Sequence, residues 1–173
     1  MEKFRNKYQI GSTRLQGYDY GSAGAYYVTV VTKKRDHHFG EIKKKMFYPN
    51  ELGIIAEQEW LKTVEIRQDM NLELDEYIIM PNHIHAILFI GLNDYNYFPA
   101  SENHFAPQSR NLASIMRGFK SAVTAYARMN KIVFDWQDRF HDHIIKDSND
   151  LIRIRDYIRN NPAKWDEDDF FKL

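Results

Sequence analysis

Two imidazoles set close together are the first sign of chemistry in this chain. His83 and His85 stand two residues apart in MPNHIHAIL, inside an apolar run from Tyr77 to Ile90. In an extended strand, side chains alternate between faces. His83, His85, Ile87 and Phe89 then share one face, and Ile84, Ala86, Leu88 and Ile90 share the other. Two imidazoles at that spacing suit two ligands on one divalent cation, leaving positions for a third protein ligand, water and phosphate oxygens. The same spacing also suits two partly buried histidines satisfied by hydrogen bonds near a strand end, since H-x-H pairs are common.

A second candidate lies far along the chain. In RIRDYIRNNP, Tyr157 falls in a segment whose Leu151, Ile154 and Ile158 recur at helical spacing. Tyr157 and Asn161 are four apart and so share a helical face, although Asn161 precedes Pro162, which disfavours helical backbone there. Taken alone, Tyr157 is one of eleven tyrosines and reads as an ordinary amphipathic-helix residue. In RFHDHIIKD, His141 and His143 share one strand face and Asp142 takes the other. His37, His38 and His104 sit in turns and read as solvated.

These residues need elements to hold them. AYYVTVVTKK, residues 25–34, is β-branched and aromatic, and predicts a strand. EIKKKMFY allows a short strand or hairpin. Leu52, Ile55, Ala56, Trp60 and Val64 then repeat at helical spacing, with Asn50 as the N-cap. LELDEYIIM, residues 72–80, alternates as a strand, and Pro81-Asn82 turns the chain into the strand HIHAILFIG. Leu112, Ile115, Met116, Phe119, Ala122, Val123 and Tyr126 give the clearest amphipathic helix. Residues 139–147 read as a strand. A last helix over roughly 149–161 is capped by Asp147 or Ser148 and ended by Pro162.

The order is βαββαβ with one more helix, the split βαβ or ferredoxin-like arrangement. The expected fold class is α+β: an antiparallel sheet with two crossover helices on one face, and a C-terminal helix carrying the tyrosine as the only large cover for the other. One domain is expected over residues 1–173, with a glycine-spotted N-terminal arm at 1–24 and a flexible loop at 92–110.

Composition narrows the function classes. With 43% hydrophobic and 14% aromatic residues the chain can bury a real core. It has no cysteine, which excludes disulfides, zinc knuckles and thiol nucleophiles. The longest apolar stretch is too short to span a bilayer, and residues 1–12 lack the apolar core of a signal peptide. A soluble, cytoplasmic protein with no membrane partner is expected. The formal net charge of zero hides blocks: residues 1–50 carry ten Lys and Arg against four acids, and residues 51–80 carry two against eight. Such blocks are most often solvated faces, but they permit a phosphate-binding surface on a neutral protein.

Several segments, in order, resemble one known family. YIIMPNHIHAIL is similar to the histidine–hydrophobe–histidine strand, with its Met-Pro-Asn lead-in, of the HUH single-strand DNA transposases, particularly the REP-associated tyrosine transposases. RLQGYDY, AYYVTVVT, FGEI, NELGIIAEQEW, IMRGFKSAVT, WQDRFHDHIIKD and YIRNNPAKW fit the same family in the same order, over about residues 14–165. The resemblance implies a bacterial, metal-dependent single-stranded DNA endonuclease and strand transferase, nucleoid-associated when bound to DNA. It implies that Tyr157 attacks a phosphodiester to give a 5′-phosphotyrosine link and a free 3′-hydroxyl. A phenol is a weak nucleophile near neutral pH because its pKa is ~10, so Mg²⁺ or Mn²⁺ on His83 and His85 would polarise the phosphate. Asn161 sits at the family's offset for a third ligand, with Asn160 an alternative and helix capping a competing role for both. His143 is expected to support the site or the sheet.

The implied partner is single-stranded DNA folded into hairpins, bound by a monomer or a homodimer. Arg14, Lys33, Lys34, Arg117, Lys120, Arg153, Arg155 and Arg159 are candidate phosphate contacts, and Tyr18 and Tyr20 candidate stacking partners for unpaired bases. Each also reads as a plain surface charge or packed aromatic. A non-cleaving, structured-DNA-binding regulator derived from a transposase is the alternative. A replication initiator or relaxase of the same chemistry is disfavoured, because no room remains for a second domain.

Overall fold

A computed structural model describes residues 17–97 and 109–167. Arg14 and His104 lie outside the described residues, as do most of the expected arm and residues 98–108 of the expected loop. Among the described residues, the main sheet has four antiparallel strands: β1 (Gly24–Val31), β4 (Leu72–Ile79), β5 (His83–Ile90) and β6 (His141–Ile145), in the order β4-β5-β1-β6. With helices α1 (Glu51–Ile66) and α2 (Leu112–Met129) as the crossovers, this is the expected ferredoxin-like arrangement. A separate hairpin pairs β2 (Gly40–Lys43) with β3 (Met46–Pro49).

The helices start where the side chains can cap them. Asn50 accepts from the amide of Gly53 at 3.0 Å, and Asp147 accepts from that of Asp150 at 2.9 Å. Asn111 and Ser114 cap each other reciprocally at the start of α2. Gly53 is needed at its place, because a Cβ there would lie 2.1 Å from the Phe39 carbonyl oxygen.

The sheet divides the interior into two cores. Val28, Val30, Ile84, Ala86 and Leu88 face α1 and α2, packing against Leu52, Trp60, Ile115, Met116 and Phe119. On the other side, Ile87 meets Ile154 and Ile158 of α3 (Ser148–Asn160), flanked by Tyr27, Ile78, Phe89, Ile145 and Leu151. The faces of β5 thus follow the alternation in its sequence, and α3 is the cover on the second face.

As expected, α3 ends before Pro162, and the chain then tightens into a 3₁₀ turn. Asn161 keeps helical dihedrals (φ −57°, ψ −44°), and a 3₁₀ segment continues over Pro162–Glu167. Proline needs no amide partner at the first position of a new turn. The turn buries Asn161 and Trp165, which offsets the crowding before proline.

Candidate functional site

The second face of the sheet carries the histidine pair. Antiparallel pairing sets Thr29 opposite His85 and Val31 opposite His83. Facing residues share a side, so Tyr27 and Thr29 of β1 point towards α3 with the imidazoles. Tyr27 Oη lies 2.7 Å from Nδ1 of His85, and Thr29 Oγ1 lies 2.9 Å from the same atom. Nδ1 of His83 lies 2.8 Å from Oδ1 of Asn82, whose amide nitrogen donates to the Arg35 carbonyl at 3.0 Å. That second bond fixes which end of the amide faces the ring. Oδ1 can only accept, so the His83 proton sits on Nδ1 and the lone pair on Nε2. The two imidazole centroids are 4.4 Å apart.

Tyr157 reaches this pair from α3. Its hydroxyl lies 3.3 Å from Nε2 of His85, and its ring stands edge-on to His85 and to Tyr27. Trp165 stacks on His83 with centroids 5.9 Å apart. Under these rings His83 is 0% exposed and His85 1%, whereas Tyr157 is 45% exposed. Burial, with the Arg35 charge adding to it, pushes His83 down to about 3, so its imidazole is neutral at ordinary pH. Asn161 is 3% exposed and lines, with Tyr157, Arg153, Asp156, Asn160, Lys164 and Glu167, an open depression of about 420 Å³. His143 bonds Asp150 at 2.7 Å, which ties β6 to the first turn of α3.

The other candidates scatter. Arg153 lines the depression and also pairs with Asp150 at 2.5 Å. Lys33 pairs with Asp135 at 2.5 Å. Arg155 and Arg159 are engaged by Asp75 and Glu76. Arg117 and Lys120 lie on α2, across the sheet from the imidazoles. The Lys120 ammonium donates to the carbonyls of Gln137 at 2.7 Å and Arg139 at 3.1 Å, which ties α2 to the segment before β6. Tyr20 is a correction. It is 8% exposed and packs in the α1/α2 core, so its ring is not open to stack on a base. Tyr18 is half-buried beside it, with its hydroxyl 3.2 Å from that of Tyr26.

Sequence reasoning missed the groups that hold the imidazoles. Tyr27 and Thr29, two polar residues at alternate positions of an apolar strand, were the available signal. Trp165 was visible only as part of a resembling segment.

These features define a ferredoxin-like domain whose tyrosine-bearing helix covers a pair of strand histidines. No family model matches the chain. It is 34% identical over 177 residues to an uncharacterized protein of Haemophilus influenzae, covering 95% of this chain and 97% of that one. It is 30% identical over 146 residues to a second Haemophilus influenzae protein, named as a REP-associated tyrosine transposase, covering 84% of this chain and 74% of that protein. The structure of a REP-associated tyrosine transposase bound to a REP hairpin shares the fold, with a TM-score of 0.56, 20% identity, and 90% and 74% of the two chains covered. The chain belongs to the REP-associated tyrosine transposase family. Among the described residues, no helix is long and apolar enough to cross a membrane.

Proposed function

We propose that this protein is a metal-dependent endonuclease and strand transferase acting on single-stranded DNA hairpins, with Tyr157 as nucleophile. The observation that carries this reading is the 3.3 Å approach of the Tyr157 hydroxyl to His85 Nε2 within one chain. In the step proposed, the Tyr157 oxygen bonds to phosphorus and the bond from phosphorus to the 3′-oxygen breaks. The phenol proton is lost and the 3′-oxygen gains one. The 5′-phosphotyrosine retains the energy of the broken ester, so the reverse attack by a 3′-hydroxyl rejoins strands without ATP.

The donor set fits a divalent cation, Mg²⁺ or Mn²⁺. His83 is neutral with its lone pair on Nε2. The oxygens of Thr29 and Tyr27 at His85 Nδ1 are the kind of outer partners that orient a ligating imidazole. Among the described residues, no three His, Asp or Glu side chains cluster to hold a metal, so Asn161, water or substrate oxygen would complete the set. Such a cation would supply charge to the scissile phosphate. The chain's own part is to hold the imidazoles and to aim the phenol.

A second reading, a non-cleaving regulator that binds structured DNA, is favoured by one observation: both imidazoles are buried under Tyr157 and Trp165. The two readings separate on a labelled hairpin oligonucleotide with Mn²⁺ or Mg²⁺, resolved on a denaturing gel. A covalent band from wild type that is lost in Tyr157→Phe supports the transferase. Hairpin binding with no band from wild type supports the regulator.

A further inference from the structure

Strand β4 is irregular at one place, and the irregularity faces the tyrosine helix. Its pairing with β5 runs Leu72↔Ile90, Glu73↔Phe89, Leu74↔Leu88, then resumes at Tyr77↔Ala86. Two residues, Asp75 and Glu76, therefore oppose the single residue Ile87. This is a β-bulge. Its effect on facing is specific. Leu74 before it and Tyr77 after it both pack in the α1/α2 core. The two consecutive acids between them are left together on the α3 side. A regular strand would send one of them to each face.

Both acids are used. Arg155 Nε lies 3.1 Å from each carboxylate oxygen of Asp75, and its Nη2 bonds the same group. Arg159 Nε lies 2.9 Å from Glu76 Oε1, and its Nη2 joins it. The arginines are one helical turn apart. At about 100° per residue, they lie on one flank of the Ile154–Ile158 stripe, and Tyr157 lies on the opposite flank. An isoleucine stripe resists lifting of the helix from the sheet, but it resists rolling and sliding weakly, because apolar packing is not directional. Two forked, charge-assisted contacts on one flank fix both motions, and so fix where the phenol on the other flank meets His85.

We propose that Asp75, Glu76, Arg155 and Arg159 are positioning residues for Tyr157: the bulge presents a two-acid clamp that sets the roll and register of α3. The proposal rests on the transferase reading and adds to it. It also reassigns two arginines that read, from sequence, as phosphate contacts.

The test is a charge exchange at the more exposed pair. Wild type, Arg159→Glu, Glu76→Arg, the double exchange and the milder Arg159→Gln are compared at saturating hairpin with Mn²⁺. Each single reversal is expected to slow adduct formation about tenfold or more, as misplacement of a nucleophile does. Hairpin affinity should stay within about twofold, and the double exchange should recover the rate to within about threefold of wild type. Arg159→Gln should show a smaller loss of the same sign. Wild-type rates in the single reversals, or no recovery in the double, overturn the proposal. Amide hydrogen exchange across α3 is read on the same chains, expected to rise about tenfold in the single reversals and to return in the double. If wild type forms no adduct, the transferase reading falls and exchange alone decides. The rise with rescue then upholds the clamp, and unchanged exchange overturns it.

Discussion

The side-chain oxygen of Asn82 holds Nδ1 of His83 at 2.8 Å while its nitrogen is held by Arg35, so one amide sets the tautomer of a buried imidazole. Removing it frees the ring to turn and to protonate on the other nitrogen. Asn82→Ala is expected to lower Mn²⁺ affinity about 10- to 100-fold, the usual loss when an outer partner of a ligating histidine is deleted. Titration calorimetry checks this, and His83→Ala should show no binding at the pair. Equal Mn²⁺ affinity in all three chains would contradict a metal role for His83.

The smaller core seats the tyrosine helix. Ile158 of α3 is buried against Ile87 of the sheet. Ile158→Ala is expected to cost about 2–5 kcal/mol, from lost burial and the cavity left behind. Urea unfolding measures the loss. Because this core lies beneath Tyr157, adduct formation should fall by more than the unfolded fraction explains.

Acid should loosen the start of α3. The hydrogen bond from His143, joined by Arg153, holds the Asp150 carboxyl down at about 2, from an ordinary 3.8. An acid whose folded pKa is depressed stabilises the fold fully above its unfolded value, and the contribution is lost as pH falls through the folded one. The stability difference between wild type and Asp150→Asn should therefore shrink as pH drops from about 4 to about 2. Urea midpoints across that range test it, and a constant difference would refute the role given to Asp150.

Two arginines on opposite sides of the sheet test where DNA lies. Arg153 borders the depression beside Tyr157, and Arg117 is exposed on α2. Arg153→Ala should weaken hairpin binding and reduce the salt slope by about one, as loss of one phosphate contact does. Arg117→Ala should leave both unchanged. Fluorescence anisotropy at several salt concentrations reads the two slopes.

Much of the fold was legible because its patterns are periodic. The alternation in HIHAILFIG placed the imidazoles on the face opposite Ile84, Ala86 and Leu88, and the isoleucine spacing in RIRDYIRNNP placed Tyr157 on a helix. Single interruptions were harder to read. LELDEYIIM looks like unbroken alternation, yet the spacing from Leu74 to Tyr77 is three, and that one extra residue is the bulge. Tertiary partners of polar segments were also hidden. Tyr20 sits among glycines as a surface residue would, but its ring is taken into the core with Tyr18 and Tyr26. Lys120 looks like a plain surface cation, yet its ammonium also bonds the carbonyls of Gln137 and Arg139. Trp165 closes over His83 from 82 positions away, a contact no local pattern encodes.

Mass spectrometry of the cleaved complex decides where the chemistry occurs. After reaction with a hairpin oligonucleotide and Mn²⁺, trypsin should release the peptide Asp156–Arg159 carrying a nucleotide through a 5′-phosphate on Tyr157. The same linkage on another tyrosine such as Tyr27, or cleaved DNA with no protein-bound nucleotide, would contradict the assignment of Tyr157 as the nucleophile.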